Sequence, residues 1–568
     1  MRDRISPRPG RRAMLLGSVA AAATGAAAMA PAQAQQPTGS ARPSSQRPNI
    51  LLIVIDDMGF SDLSPYGGEI YTPNIARLAD QGCLFSNFHV APTCSPSRSM
   101  LLTGADNHVV GLGNMKELLA DNQRGKPGYE GGLNGRAPTV AALLRDAGYH
   151  TYIAGKWHLG QDRDQLPAAQ GFEESVILAE GGADNYEKKP YTPVYKAVHF
   201  YEGFNEIDLP SDFYSSKYYT DRLIGFIDKH DADGKPFFGV LAFQAVHQPQ
   251  QVPPEYTERY VATYQAGWDQ IQQIRYQRQV ENGLMPAGLD PDLPGTPDWT
   301  SLTPDQQRLN AKRMAVYAGM LEYVDMSIGR LVEHLKQKQM LDRTAILLMS
   351  DNGSEGTQLL EYFPQYYRQH FNLSYDHLGE KGSYSEYGPG WAAVSATPFS
   401  GLKISTGEGG TRSPLIVRYP PKIPEGLRTS ALSYVTDIVP TLLELAGVAP
   451  QASENLAGRS LVPLLNGTAT AVRGPNDAVV TELAGNVAVY RGDYKLMKSL
   501  PPTGDGQWHL YDLVHDLGER NDLAKTEPEL VRSLQADYTD YARRYALVEV
   551  PEGYNMVEQS TKNARQDK

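Results

Sequence analysis

The sequence predicts an α/β fold, in which a large mostly parallel (mixed) sheet is sandwiched by helices and followed by a smaller C-terminal antiparallel-sheet subdomain. Three observations predict it. Near-continuous apolar segments recur at 50–55, 149–153, 237–243, 344–349 and 415–418. Helical patterns lie between them, at 139–147, 218–229 and 311–336. Past Asn466-Gly467 the texture changes to short, turn-separated strands. Strands without polar alternation are buried on both faces, and helices between them supply parallel crossovers.

In chain order, residues 1–34 read as an export signal. Arg2, Arg4, Arg8, Arg11 and Arg12 precede an Ala-rich apolar run, and Ala32-Gln33-Ala34 ends it as a small-x-small cleavage site. The Arg11-Arg12 pair points to the twin-arginine route, with an ordinary secretory signal as the alternative. Either route makes the protein exported, periplasmic or secreted. Residues 35–48 are Gln/Pro/Ser/Arg-rich and read as a linker. Residues 49–468 read as the large α/β domain, with the helix 435–446 expected to pack on its sheet. Residues 469–568 form the small α+β subdomain, with strands at 478–481, 487–491, 494–498 and 508–512 and a helix from 528 to 545. Three insertions rich in tyrosine and proline, 186–219, 253–300 and 357–400, are too long for simple connections. They read either as surface elaboration or as walls of an aromatic-lined pocket.

Charge narrows the partners. The 568 residues carry a formal net charge of -12. Removal of 1–34 takes away five arginines and one aspartate, a net +4, and leaves -16. Such acidity argues against nucleic acid or an anionic membrane, and no other stretch is long and apolar enough to span a bilayer. The two cysteines, Cys83 and Cys94, make no disulfide framework. Cys83 follows the helical run 73–81 and reads as a small core residue.

Cys94 opens the run Cys94-Ser95-Pro96-Ser97-Arg98, continued by Leu101-Leu102-Thr103-Gly104. Pro96 suits a first helical turn, and Arg98 lies one turn from the cysteine. A thiol at a helix start beside arginine would be acidified and reactive, so the residues alone suggest a nucleophile. Open parallel sheets bind ligands beyond the carboxyl ends of their strands. Asp56-Asp57 follows the first strand and Asp351-Asn352-Gly353 the fourth; Lys156 and His158 follow the second, and His247 the third. Three carboxylates and an amide oxygen make an all-oxygen cluster whose like charges repel unless a hard divalent cation joins them. Ca²⁺ is favoured over Mg²⁺ because it takes many oxygens in loose geometry. Lys403 precedes Glu408-Gly409-Gly410, a turn able to hold it over the same edge. His89 and His108 flank the cysteine run, where packing or hydrogen bonding is the simpler role.

These residues resemble the type I, formylglycine-dependent sulfatases of the alkaline-phosphatase-like superfamily. The cysteine run carries most of the resemblance. Residues 49–57, Thr72-Pro73-Asn74, Gly155-Lys156-Trp157-His158, Asp351-Asn352-Gly353 and Glu408-Gly409-Gly410 add to it. The block 351–418, with Tyr387-Gly388-Pro389, looks most like bacterial arylsulfatases. The resemblance implies hydrolysis of a small-molecule sulfate ester, an aryl sulfate above all, to alcohol or phenol and inorganic sulfate. It implies that a formylglycine-generating maturation enzyme converts Cys94 to 3-oxoalanine, which hydrates to a gem-diol. Asp56, Asp57, Cys94, Asp351 and Asn352 would then hold one Ca²⁺. Arg98 would orient the diol, Lys156 hold sulfate oxygens, Asp351 accept a proton, His247 or Lys403 protonate the leaving oxygen, and His158 deprotonate the second hydroxyl. The alternatives are a phosphonate or phosphate ester hydrolase of the same superfamily and a calcium-stabilised exported binding protein without activity.

Overall fold

The computed structural model describes residues 47–291, 296–449, 455–501 and 503–566. The signal expected at 1–34 and most of the linker expected at 35–48 lie outside them. Eleven strands form one sheet: β1 (Asn49–Ile55), β2 (Cys83–His89), β3 (His150–Lys156), β4 (Glu174–Leu178), β5 (Phe200–Glu202), β6 (Asn205–Glu206), β7 (Phe237–Ala242), β8 (Thr344–Ser350), β9 (Arg412–Arg418), β10 (Leu427–Thr429) and β11 (Ser433–Tyr434). Their order is β10-β2-β9-β8-β1-β7-β3-β4-β5-β6, with β11 beside β2.

The centre of the sheet, β8-β1-β7-β3, is parallel throughout. Its strands are buried on both faces, which explains their unbroken apolar runs. Along β1, Leu51, Ile53 and Ile55 point into one core. Ile50, Leu52 and Val54 point into the other. The first core is covered by the helices Pro304–Gln337 and Ser215–His230. The second is covered by the helices Cys94–Thr103 and Ile438–Ala446. β9 is antiparallel to β8, and β2 is antiparallel to β9, so β2 runs the same way as β8.

β2 is absent from the sequence-based expectation because Ser86 and Asn87 interrupt its apolar pattern. The insertion 253–300 is corrected on its expected role as a pocket wall, since none of its described residues lines the cavity over Cys94. Trp268 and Trp299 stack edge-on at 4.8 Å and both meet Trp391, which anchors the segment in the first core, while many of its other described residues are exposed.

The smaller antiparallel sheet consists of β12 (Val479–Leu483), β13 (Asn486–Arg491), β14 (Tyr494–Lys498) and β15 (Trp508–Asp512). Leu534 of the helix Pro528–Arg544 packs on it. Buried charge ties it to the large sheet: Lys495 on β14 pairs with Glu408 at 2.9 Å, just before β9. Among the described residues no helix is long and apolar enough to cross a membrane.

Candidate active site

Register brings the site together. Val54 of β1 lies opposite Ala242 of β7 and Met349 of β8, and Gly155 of β3 lies opposite Ala242. Four central strands therefore end level, and Asp56, Asp57, Asp351, Lys156, His158 and His247 leave the sheet at one edge. β2 runs parallel to them, so Cys94 emerges at that edge too. β9 runs the other way and starts there, which puts Lys403 and Glu408 on the same side. Close backbone packing holds the two loops. Gly353 donates to the Gly410 carbonyl at 3.0 Å, and Lys403 N donates to the Ser354 carbonyl at 2.9 Å. A Cβ at Gly353 would stand 1.9 Å from the Gly409 oxygen, so only glycine fits. Asp57 and His158 adopt φ of 61° and 57°, a left-handed conformation uncommon outside glycine and concentrated at functional sites.

Cys94 is the first residue of a wholly buried helix, and its Sγ lies 3.5 Å from Asp56 Oδ1 and 3.8 Å from Asp57 Oδ1. Each acid has a cation. Lys156 Nζ meets Asp56 Oδ2 at 2.6 Å, Lys403 Nζ meets Asp57 Oδ1 at 2.7 Å, and Arg98 Nε donates to Asp351 Oδ2 at 2.7 Å. The three acids are thus less exposed to mutual repulsion than their sequence positions imply. Compensation is still incomplete. Burial pushes the Asp56 carboxyl up to about 7 against the pull of Lys156, with Asp351 and Asp57 adding to the rise. Burial would raise Asp57 as well, but Lys403, His247 and Lys156 hold it well below the usual carboxylate range.

The free-thiol reading is corrected. Burial drives the Cys94 thiol well above its ordinary pKa, further than Lys156 and Lys403 pull it down. A buried protonated thiol is a poor nucleophile. Both cysteines are free, and Cys83 is a buried core residue. His247 donates Nδ1–H to the Gln248 carbonyl at 2.5 Å, which leaves Nε2 facing Asp57 Oδ2 at 3.6 Å. Burial, with Lys403 and Lys156 adding, lowers its pKa to about 3 despite Asp57, so the ring is neutral. His89 and His108 lie elsewhere: His89, whose pKa burial lowers despite Glu408, hydrogen-bonds that acid, and His108 is buried in an ion pair with Asp106 and Glu482.

A cavity of about 410 Å³ opens over Cys94. His158, His247 and Lys403 line it; Lys156 and Arg98 do not and stand behind the acids. Its walls come from insertions 186–219 (Tyr191, Tyr195) and 357–400 (Tyr362, Phe363), so these two are pocket walls. Three contributors went unread in the sequence: Glu117 with its neighbours Met115 and Leu118, Glu355, and the chain end with Met556 and Val557. Nothing local marks Glu117 or the chain end, which only the fold brings to the cavity, whereas Glu355 lies two residues past Gly353.

A family model described as Sulfatase matches residues 48–448. The chain belongs to the sulfatase family. A second model, N-sulphoglucosamine sulphohydrolase C-terminal, matches residues 406–542 of this sulfatase, across β9 and the small sheet. An uncharacterized sulfatase of Schizosaccharomyces pombe is 39% identical over 535 residues, covering 90% of this chain and 96% of the relative. The arylsulfatase of Klebsiella aerogenes is 37% identical over 452 residues, covering 78% and 96%. The solved structure of Ps i-CgsB in complex with k-i-k-neocarrahexaose shares the fold, with a TM-score of 0.65, 24% identity and coverage of 92% and 98%. The enzyme is a sulfuric ester hydrolase, and the inactive-binder alternative falls with that.

The donor set of the sulfatase fits a hard cation. One ligand atom from each of Asp56, Asp57, Cys94 and Asp351 lies within 4.8 Å of the others. Beside them the Asn352 amide donates Nδ2–H to Asp57 Oδ1 at 2.7 Å, while its buried Oδ1 has no hydrogen-bond partner. An orphaned buried amide oxygen next to three carboxylates is what an oxygen-seeking ion would satisfy. The sulfur is the one ill-matched donor.

Proposed function

We propose that this sulfatase hydrolyses aryl sulfates with an oxidised Cys94 and one Ca²⁺ held by Asp56, Asp57, Asp351, Asn352 and residue 94. The cavity carries the reading. Beyond its sulfate end it offers Tyr191, Tyr195, Tyr362, Phe363 and Met115, a surface suited to a flat apolar leaving group. Apart from the histidines, Lys403 is the only base among the described lining residues, against Glu117, Glu355 and Glu361. A polyanionic saccharide would meet repulsion there. The likeness to the Klebsiella arylsulfatase supports the same choice.

Conversion to formylglycine would give residue 94 a hydrated aldehyde, an oxygen nucleophile and hard donor in place of sulfur. A bound Ca²⁺ would supply Lewis acidity, lowering the pKa of that hydroxyl and drawing charge from the sulfate. The chain's own groups do the rest. Arg98 fixes Asp351 through Nε and reaches the Lys156 carbonyl through Nη1 at 2.9 Å, which locks the acid in place. Lys156 sets the orientation of Asp56. Asp57 and Glu355 keep the Lys403 ammonium charged against the cost of burial, so Lys403 is the donor facing the departing phenol oxygen. His247, neutral, offers Nε2 as a hydrogen-bond acceptor. His158 takes the proton that lets sulfate leave. Donors aimed at developing charge in a dry site are each worth roughly 10²–10³ in rate.

The test is the enzyme made with a formylglycine-generating partner and assayed on 4-nitrophenyl sulfate beside 4-nitrophenyl phosphate and 4-nitrophenyl phenylphosphonate. Faster turnover of either phosphorus ester would reverse the assignment. An unmodified Cys94 peptide by mass spectrometry in an active sample would remove the formylglycine. The same reading makes the enzyme exported, periplasmic or secreted after loss of 1–34, which cell fractionation checks.

A further inference from the structure

Glu117 has no part in the scheme above, yet it touches the site. It sits in the short turn Lys116–Leu118. Its Oε1 accepts the Tyr195 hydroxyl at 2.8 Å and faces His158 Nε2 at 3.4 Å. The far end of the chain holds this turn. Asn563 Nδ2 donates to the carbonyls of Glu117 and Leu119, each at 3.0 Å. Tyr554 OH donates to the carbonyl between them, on Leu118, at 2.6 Å. The tail thus takes the carbonyls of Glu117 and Leu119 and shares that of Leu118 with Asn114 Nδ2, which donates to it at 3.1 Å from within the same loop. Asn563 is 3% exposed, and Met556 is buried in one cluster with Leu118. Met556, Val557 and Ser560 also face the cavity that opens over Cys94.

We propose that the C-terminal helix Met556–Gln566 is a working part of the active site: it clamps the 116–118 turn so that Glu117 positions His158, and it forms the wall that limits leaving-group size. The kinetic side rests on the sulfate-ester reading given above. A carboxylate opposite Nε2 keeps the proton on that nitrogen. Nδ1, buried and without a partner, then keeps its lone pair and serves as proton acceptor. Hydrogen bonds of this kind are long in a resting enzyme and tighten with substrate. Glu117 acts through His158 and is a positioning residue.

The experiment uses the full matured chain and three variants. Glu117→Gln is expected to lower kcat on 4-nitrophenyl sulfate about 10–100-fold, the scale of losing a histidine's orienting partner, with KM little changed. Glu117→Asp should recover part of that loss. Asn563→Leu, with a melting temperature close to the parent's, should raise amide exchange across 116–120 by about tenfold and lower kcat in parallel. Val557→Phe should cut kcat/KM for 4-methylumbelliferyl sulfate about tenfold more than for 4-nitrophenyl sulfate. Parent-like kcat in Glu117→Gln, unchanged exchange in Asn563→Leu, or equal loss on both esters in Val557→Phe would each overturn the proposal. Exchange is read without turnover. A parent that hydrolyses no sulfate ester therefore overturns the functional reading, while the exchange result still decides the clamp.

Discussion

His247 and His108 are both almost fully buried, and their charges go opposite ways. His108 lies between Asp106 Oδ1 and Glu482 Oε2, each at 3.0 Å, with Tyr541 OH 3.1 Å from Nδ1. Burial alone would lower its pKa, but the two acids raise it to about 9. His247 faces one acid and two lysines, and burial takes it to about 3. One ring is a cation that ties the motif end of the large sheet to β12 and the helix Pro528–Arg544. The other is a neutral ring held ready beside a cavity. Desolvation is common to both, so the balance of the neighbouring charges decides whether a buried histidine is a cation or a neutral ring.

Mutations at the two ends should separate along this line. The largest effect belongs to Cys94→Ala, which is expected to lower 4-nitrophenyl sulfate turnover by roughly 10⁴-fold or more, the scale of losing a nucleophile, with little change in melting temperature. His247→Ala should lower kcat by about 10²–10⁴-fold and leave the melt near the parent's. His108→Ala should do the reverse. It strands Asp106 and Glu482 in the seam, at a cost of about 3–5 kcal/mol by thermal or denaturant unfolding, and the folded fraction keeps near-parent kcat. Equal loss of activity and stability in both variants would erase the distinction.

Chelation probes the catalytic end alone. On the proposed Ca²⁺ reading, removing the ion should abolish turnover and lower the unfolding free energy by about 2.7 kcal/mol where it had stood at a hundredfold excess over its Kd, with recovery on adding calcium back. A pH series probes the seam, once the parent is compared with a His108 variant that keeps the active-site acids. His108 has a raised folded pKa, so its stabilisation is complete below the ordinary value of 6.5 and fades as pH rises through about 9. The parent melt should therefore fall more steeply between those limits than that of His108→Gln; parallel curves would remove the charge from this ring. The smallest effect concerns substrate charge. Adding a carboxylate to the phenol ring should lower kcat/KM a few-fold, and added salt should narrow the gap, because Glu117, Glu355 and Glu361 line the cavity.

Much of this architecture is legible in one dimension. β1, β3, β7, β8 and β9 announce themselves because burial on both faces forces unbroken apolar runs. The acids after β1 and β8 stand where a parallel sheet presents its ligands. β2 is harder to read, since Ser86 and Asn87 break its apolar run and its partners β9 and β10 lie over 300 positions away. Lys403 is suggested by the turn before Glu408-Gly409-Gly410, and the direction of β9, which brings its amino end to the site edge, sets it on Asp57. Glu117 and Val557 carry no local mark at all, because their meaning arises where the two ends of the fold meet.

The chain by itself determined β1, β3, β7, β8 and β9, the small sheet, the helix that begins at Cys94 and the pairs of oxygen donors, because those follow from periodicity and from spacings of a few residues. Tertiary structure decided which cation sits on which acid, which histidine carries charge, and that the last helix walls the cavity. The reason is physical: ionisation and cavity shape depend on desolvation and on partners far away in sequence, and neither exists until the sheet has closed.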